Sequence, residues 1–341
     1  MNSNKILLLF LLFITSPIFA NSAVVFMYHR FGEFKYPSTN ITMEQFKYQL
    51  DYLQEHDYNV WHLSKILRHI INKQELPPKT VALTIDDAYL STYTNAYPVL
   101  KSKNFPFTVV ISTNQVDSRS KNYMSWSQMR EMQKNGAEFA NHSSSHDFLL
   151  PQDNESDAKW NERVTKEIEK AQQRIHEELG ADTNENPRIF SYPFGEYDLK
   201  TAELIRKLGY IGITQTSGPI GEDCDLRAVT RFPMAEAFAN PNSFISKLNT
   251  VPMPIISVSH KEPIIKKENP PKLHINLKEP LENMGCYISS GETIDFKWIS
   301  QTEVVVTANE PIKPPREKYT CTAPAKDGKW YWYSHLWIVN N

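Results

Sequence analysis

Two carboxylates stand side by side, Asp86 and Asp87, where the apolar run Val81-Ala82-Leu83-Thr84-Ile85 ends. An adjacent acidic pair can divide labour, one group binding a metal and the other accepting a proton. Further along, His142 and His146 flank three serines. If that turn is helical, the i and i+4 positions put both rings on one face, close enough to share a metal. Asp87 with the two histidines makes an open three-ligand site that leaves positions for water and substrate. A metal there lowers the pKa of bound water and polarises a carbonyl, and Asp86 beside the ligand is then the general base. Taken singly, the acidic pair also reads as a solvated turn and the histidines as exposed helix residues. A third stretch runs from Arg188 through Tyr192-Pro193-Phe194-Gly195 to Tyr197. Arg188 opens a strand and could hold the base carboxylate. The turn carries aromatic rings of the kind that pack on pyranose faces, although alone it reads as an ordinary loop.

These groups need a scaffold that gathers loop ends. Short apolar strands are expected at residues 23–28, 58–61, 81–85, 107–112, 137–141, 188–191, 210–214 and 254–259. Helical patterns follow at 42–53, 63–71, 91–103, 125–135, 157–179, 198–208 and 241–248. Thr42 with Gln45 has the capping-box spacing, and Gly136, Gly180 and Gly209 stand as helix terminators. Strand and helix alternate about seven times, which predicts an α/β fold with parallel units, a (β/α)7-8 barrel rather than the alternative doubly wound sheet. Ligands of such folds sit at the carboxyl ends of the strands. Residues 261–271 are charged and Pro-rich and read as a linker. Beyond them short alternating segments predict a small all-β, sandwich-like domain. The expected division is 1–20 signal peptide, 21–262 catalytic domain and 263–341 β-rich domain. The segment Lys329–Trp337 alternates aromatic residues on two faces, one for the core and the other for a domain interface or a sugar.

The 341 residues carry a formal net charge of −2, so no nucleic-acid partner is expected. Lys5, the apolar run 6–14 and Ile18-Phe19-Ala20 form a secretory signal pattern. The run is too short for a comfortable membrane anchor and Pro17 interrupts it. Export to the periplasm or beyond, with no stable membrane span after signal cleavage, is the expectation. Cys286 and Cys321 are the natural disulfide pair, leaving Cys224 over.

The motifs together resemble the metal-dependent polysaccharide deacetylases of carbohydrate esterase family four. Thr84-Ile85-Asp86-Asp87-Ala88 resembles the first motif, His142-Ser143-Ser144-Ser145-His146 the second, and Arg188 through Tyr192-Pro193-Phe194-Gly195 the third. Phe26-Met27-Tyr28-His29-Arg30-Phe31-Gly32-Glu33 is similar to the extracellular subgroup acting on poly-N-acetylglucosamine. The resemblance implies a distorted barrel of that family's type, Asp86 as catalytic base, and Asp87, His142 and His146 on a divalent metal, usually zinc. It implies that Arg188 positions the base, that Tyr192, Pro193 and Phe194 face substrate, and that the backbone after Tyr192 stabilises an oxyanion. His260, closing the run Ile255–Ser259, falls where the family has its acid; His29 also lies near the barrel mouth. Asp225-Leu226-Arg227 and Arg231-Phe232-Pro233 lie where a residue would support that acid, and Ala88 stands where the family usually has Gly. The implied function is a secreted deacetylase that hydrolyses the N-acetyl amide of amino sugars in a polysaccharide such as poly-N-acetylglucosamine, peptidoglycan or chitin. A non-catalytic carbohydrate-binding protein on the same scaffold is the alternative, and hydrolysis of a different ester or amide is a third reading. The implied partner is an N-acetylated polysaccharide; no protein partner is indicated.

Overall fold

The computed structural model describes residues 22–339, so the expected signal segment 1–20 lies outside the described residues. In chain order the first strands are β1 Ser22–Tyr28, β2 Arg30–Phe31, β3 Asn40–Ile41, β4 Asn59–Val60, β5 Thr80–Ile85, β6 Phe107–Ile111, β7 Ala137–Asn141, β8 Arg188–Ser191, β9 Tyr210–Ile213, β10 Ile220–Gly221 and β11 Phe232–Pro233. The helices are α1 Met43–Glu55, α2 Leu63–Ile71, α3 Tyr97–Ser102, α4 Thr113–Asp117, α5 Trp126–Gln133, α6 Asp157–Leu179, α7 Leu199–Lys207 and α8 Pro241–Leu248. Helix α1 starts at the expected capping box of Thr42 and Gln45.

The sheet runs β10-β1-β5-β6-β7-β8-β9, with β4 beside β5 and β11 beside β1. Every pairing from β1 through β9 along this path is parallel. All six residues of β5 are buried, as expected of a parallel strand covered on both faces. Alternation divides that strand. Val81, Leu83 and Ile85 join the cluster under α1, α3, α5 and α6, whereas Ala82 joins Val25, Val110, Ala140, Ile189 and Ile213 on the opposite face. Asp86 continues the Ala82–Thr84 side, so period-two geometry carries it into the curl of the sheet. Leu63, Ile66, Leu67 and Ile70 of α2 cover this inner cluster.

The curled sheet is drawn together by an irregular segment rather than by a further regular strand. Residues 226–234 bond to β9 and its extension on one side, through Gly212 N–H to Leu226 O, Val229 N–H to Gly212 O and Thr214 N–H to Val229 O. On the other side β11 pairs in parallel with β1, Phe26 opposite Phe232. This is an α/β half-barrel with its gap bridged.

The C-terminal strands are β12 Thr250–Pro252, β13 Ile255–Val258, β14 Leu273–Leu277, β15 Gly285–Tyr287, β16 Asp295–Trp298, β17 Glu303–Thr307, β18 Arg316–Pro324 and β19 Trp330–Ile338. They form two four-stranded sheets, β12-β19-β18-β15 and β13-β14-β17-β16, around their own apolar cluster. Cys286 and Cys321 are disulfide-bonded opposite one another on β15 and β18. The strand expected at 254–259 belongs here: β13 pairs antiparallel with β14, so it does not add to the barrel.

Candidate active site

The site lies where β5, β7 and β8 end. Asp86 is fully buried and its N–H donates to Tyr28 O. Its carboxylate is gripped by Arg231, Nη1 to Oδ1 at 2.7 Å and Nη2 to Oδ2 at 2.8 Å. Arg231 also donates from Nε to Thr214 O, from Nη1 to Thr84 Oγ1 and from Nη2 to Ser191 Oγ. All five guanidinium N–H groups thus have acceptors, the condition under which a fully buried arginine is tolerated. Burial alone would raise the Asp86 pKa; the charge and hydrogen bonds of Arg231 outweigh it and hold the group below the ordinary carboxylate value. His29 lies on the other side, Nε2 at 4.0 Å from Asp86 Oδ2.

Asp87 leaves the strand with φ 72°, followed by Ala88 at φ 54°. Both are left-handed, which explains the family preference for Gly at the second position. The turn aims Asp87 Oδ1 at two imidazoles, 3.4 Å from His142 Nε2 and 3.3 Å from His146 Nε2. Burial works to raise Asp87, and the surrounding imidazoles, His142 first, hold it well below the usual range. Burial and then His142 push His146 down to about 4. The ring of His142 is fully buried and its Nδ1 contacts Ser191 O at 2.8 Å. A proton on Nδ1 leaves Nε2 as a lone pair directed into the site, and Nε2 has no hydrogen-bond partner among the described residues.

These three residues fit a metal. Their ligand atoms all lie within 4.8 Å of one another. Bonds of about 2.0–2.1 Å at tetrahedral angles would separate neighbouring ligand atoms by about 3.3–3.4 Å, the spacing found from Asp87 Oδ1 to each imidazole. An orphaned buried imidazole nitrogen, fixed in tautomer by a backbone carbonyl, is the second-shell arrangement that metal ligands use.

Several expectations are corrected. The His142–His146 turn is not helical: Ser143 and His146 have φ 64° and 66°, and the rings meet through a left-handed turn. Arg188 does not touch Asp86. It sits at the start of β8, the end away from the site, and is held by Glu185 at 2.8 and 3.1 Å. The guanidinium that grips Asp86 is that of Arg231. Tyr192 is fully buried, its hydroxyl donating to Arg227 O and its ring stacked on Tyr197; it is core, not a substrate contact. Pro193 is buried as well. Phe194 is the member of that turn that reaches the site, at φ 59°, edge-on to His146 at 4.7 Å and stacked on the exposed Phe148 at 4.3 Å. Gly195 permits the turn, since a Cβ there would lie 2.6 Å from Gln215. His260 is exposed beyond β13, bonded to Ser259 and beside Trp337; its strand pairs in the C-terminal sheets, which removes it from the barrel mouth. The histidine that faces Asp86 is His29.

Residues 73–213 match the sequence model of the family described as polysaccharide deacetylase. The poly-beta-1,6-N-acetyl-D-glucosamine N-deacetylase of Staphylococcus epidermidis is 26% identical over 233 residues, 62% of this chain and 78% of that protein. Among solved structures, the deacetylase PplD of Streptococcus pyogenes, in complex with acetate, superposes with a TM-score of 0.58 at 23% identity, over 68% of this chain and 99% of that one. IcaB from Ammonifex degensii superposes with a TM-score of 0.55 at 24% identity, over 67% and 96%. At such identities the structural likenesses establish the half-barrel fold.

Proposed function

Starting from a chain that carries a polysaccharide deacetylase domain, we propose that it is an exported, metal-dependent enzyme that removes N-acetyl groups from poly-N-acetylglucosamine. The observation that carries this reading is the convergence of Asp87, His142 and His146 on one point beside the Asp86–Arg231 pair. Zinc or a similar divalent ion, held by those three side chains, would acidify a water and polarise the acetamide carbonyl. Asp86, kept ionised by Arg231, takes the proton of the attacking water. A carboxylate held below its ordinary value is a weaker base, which would suit a water acidified by a bound metal. Of the third-motif turn, Pro193 has no N–H, and those of Gly195 and Glu196 donate to Tyr192 and Pro193 carbonyls; the Phe194 N–H is left for the oxyanion. His29, on the far side of Asp86, protonates the departing amine. The stacked Phe148–Phe194 pair packs against a pyranose ring. The relative's β-1,6-linked polymer supports the choice of substrate, and the pattern in residues 1–20 supports export.

The test is acetate release from β-1,6- and β-1,4-linked N-acetylglucosamine oligomers by metal-stripped and zinc-reloaded protein. Asp87→Ala should lose zinc and activity together. Asp86→Asn should keep zinc and lose at least about 100-fold in kcat, the low end for a general base. Oligosaccharide binding without acetate release, unchanged by Asp86→Asn, would identify a non-catalytic binding protein and defeat this reading.

A further inference from the structure

We infer that Glu167, in the middle of α6, is a positioning residue for His146: its carboxylate holds the second-motif turn in the conformation that presents this imidazole beside Asp87. The inference rests on the proposed metal site. The two histidines are anchored unequally. His142 is fixed through its own atoms, Nδ1 to Ser191 O and backbone N–H to Ile111 O. Among the described residues the side chain of His146 has no comparable hydrogen-bonded anchor, and its N–H bonds within the turn, to Ser143 Oγ. Its direction therefore depends on the backbone of residues 143–146, which includes two left-handed non-glycine residues. Such conformations persist only where the surroundings over-determine them.

Asn141 Oδ1 accepts the Ser143 N–H and Ser143 O accepts from Thr113 N–H, and Glu167 is the side chain that holds the next two residues of the turn. One carboxylate oxygen, Oε2, accepts from Ser144 Oγ at 2.6 Å, Ser145 N–H at 2.8 Å and Ser145 Oγ at 2.8 Å. The Glu167 carbonyl accepts the Ser144 N–H as well. The outward carbonyls of the turn are met by α4: Asn114 N–H donates to Ser144 O and Gln115 Nε2 to Ser145 O. Lys170 Nζ, one turn along α6, holds the Asn114 side chain. The serines between the histidines are thus more than small spacers; they are the donors through which a helix outside the motif grips the turn. A relaxed turn would carry His146 away from Asp87 and leave His142 in place.

The experiment is a zinc titration of metal-stripped protein against a competing chelator, for wild type, Glu167→Ala, Glu167→Gln and Ser145→Ala, repeated in a His146→Ala background. Glu167→Ala should weaken zinc about 10- to 100-fold, the usual effect of removing an outer-shell partner. Glu167→Gln, which keeps an acceptor, should recover most of the loss, and Ser145→Ala should lose less than Glu167→Ala. In the His146→Ala background Glu167→Ala should bring no further loss, whereas a merely structural role would lower both backgrounds alike. Wild type and Glu167→Ala binding zinc equally, or equal losses in the two backgrounds, would overturn the inference and leave the metal site standing. Wild-type protein that binds no zinc would overturn both. Ser145→Ala keeps the test available if Glu167→Ala does not fold.

Discussion

Arg231 and Asp86 form a closed electrostatic unit, buried on all sides, in which each partner makes the other tolerable. Removing the arginine leaves an uncompensated carboxylate in the interior, a change that costs about 3–5 kcal/mol. Arg231→Ala should therefore show a large loss of stability in urea unfolding as well as of turnover. Arg231→Lys separates the two effects. An ammonium keeps the charge but offers three donors from one point and cannot reproduce a fork with five separate acceptors. It should retain more of the stability than alanine does, yet still lose at least tenfold in kcat. A lysine variant with wild-type kcat would mean that the fork geometry is irrelevant to the base. The pair also shows where reading from sequence stops. Asp86, Asp87, His142 and His146 were legible because each motif is local and ends a strand. The partner of Asp86 lies 145 residues away, and no local pattern reports that distance. Arg188 was the nearer candidate in the sequence, but Ile189, Phe190 and Ser191 of its strand separate it from the active end. The available signal was a lone charge in the stretch Ala228–Met234, whose other residues are apolar apart from Thr230.

At the scale of elements, the segment 226–234 decides the geometry, because it bridges β9 to β1 and carries Arg231 between its two attachments. Its approach to β9 is close enough to exclude any side chain on Gly212: a Cβ there would lie 2.4 Å from Arg227 O and 2.5 Å from the Tyr192 hydroxyl. Gly212→Ala must push the segment outward or displace the Tyr192 ring. Overpacking of this kind costs about 1–3 kcal/mol, and here the displaced segment carries Arg231, which grips Asp86. The variant should lose both melting temperature and kcat, in contrast to an ordinary surface Gly→Ala change. Unchanged kcat would show that Arg231 is placed independently of the closure. The alternation of strands and helices made the parallel units readable, since period and length are properties of each segment alone. Strand β13 was readable as a strand for the same reason. Its sheet was not, because a four-residue apolar run pairs with whichever edge the tertiary fold presents.

Taken whole, the molecule braces its closing segment from the C-terminal sheets. Trp332 of β19 meets Phe232 edge to face at 5.1 Å and donates from Nε1 to Ser217 O. Arg316 of β18 pairs with Glu196 beside the third motif, and β12, directly after α8, joins β19. The same junction holds an ionisable group out of its ordinary range. Lys247 of α8 is buried, with Nζ donating to Phe238 O and Ser243 Oγ. Burial, and then the charge of Lys318 on β18, push its pKa down to about 7. In the unfolded chain a lysine titrates near 10.4. Between those values the unfolded state binds more protons than the folded one, so stability rises with pH across the window. Below about pH 7 the folded protein must hold the buried ammonium, and the full penalty applies; above about pH 10 it is gone. Lys247→Met keeps most of the packing and has no proton to exchange. Unfolding free energies measured in urea from pH 6 to 9 should climb for the wild type relative to Lys247→Met, with the difference favouring the variant most at the acid end. Parallel profiles for the two proteins would show that Lys247 stays charged in the folded state, and that the junction between α8 and the C-terminal sheets is wetter than its packing indicates.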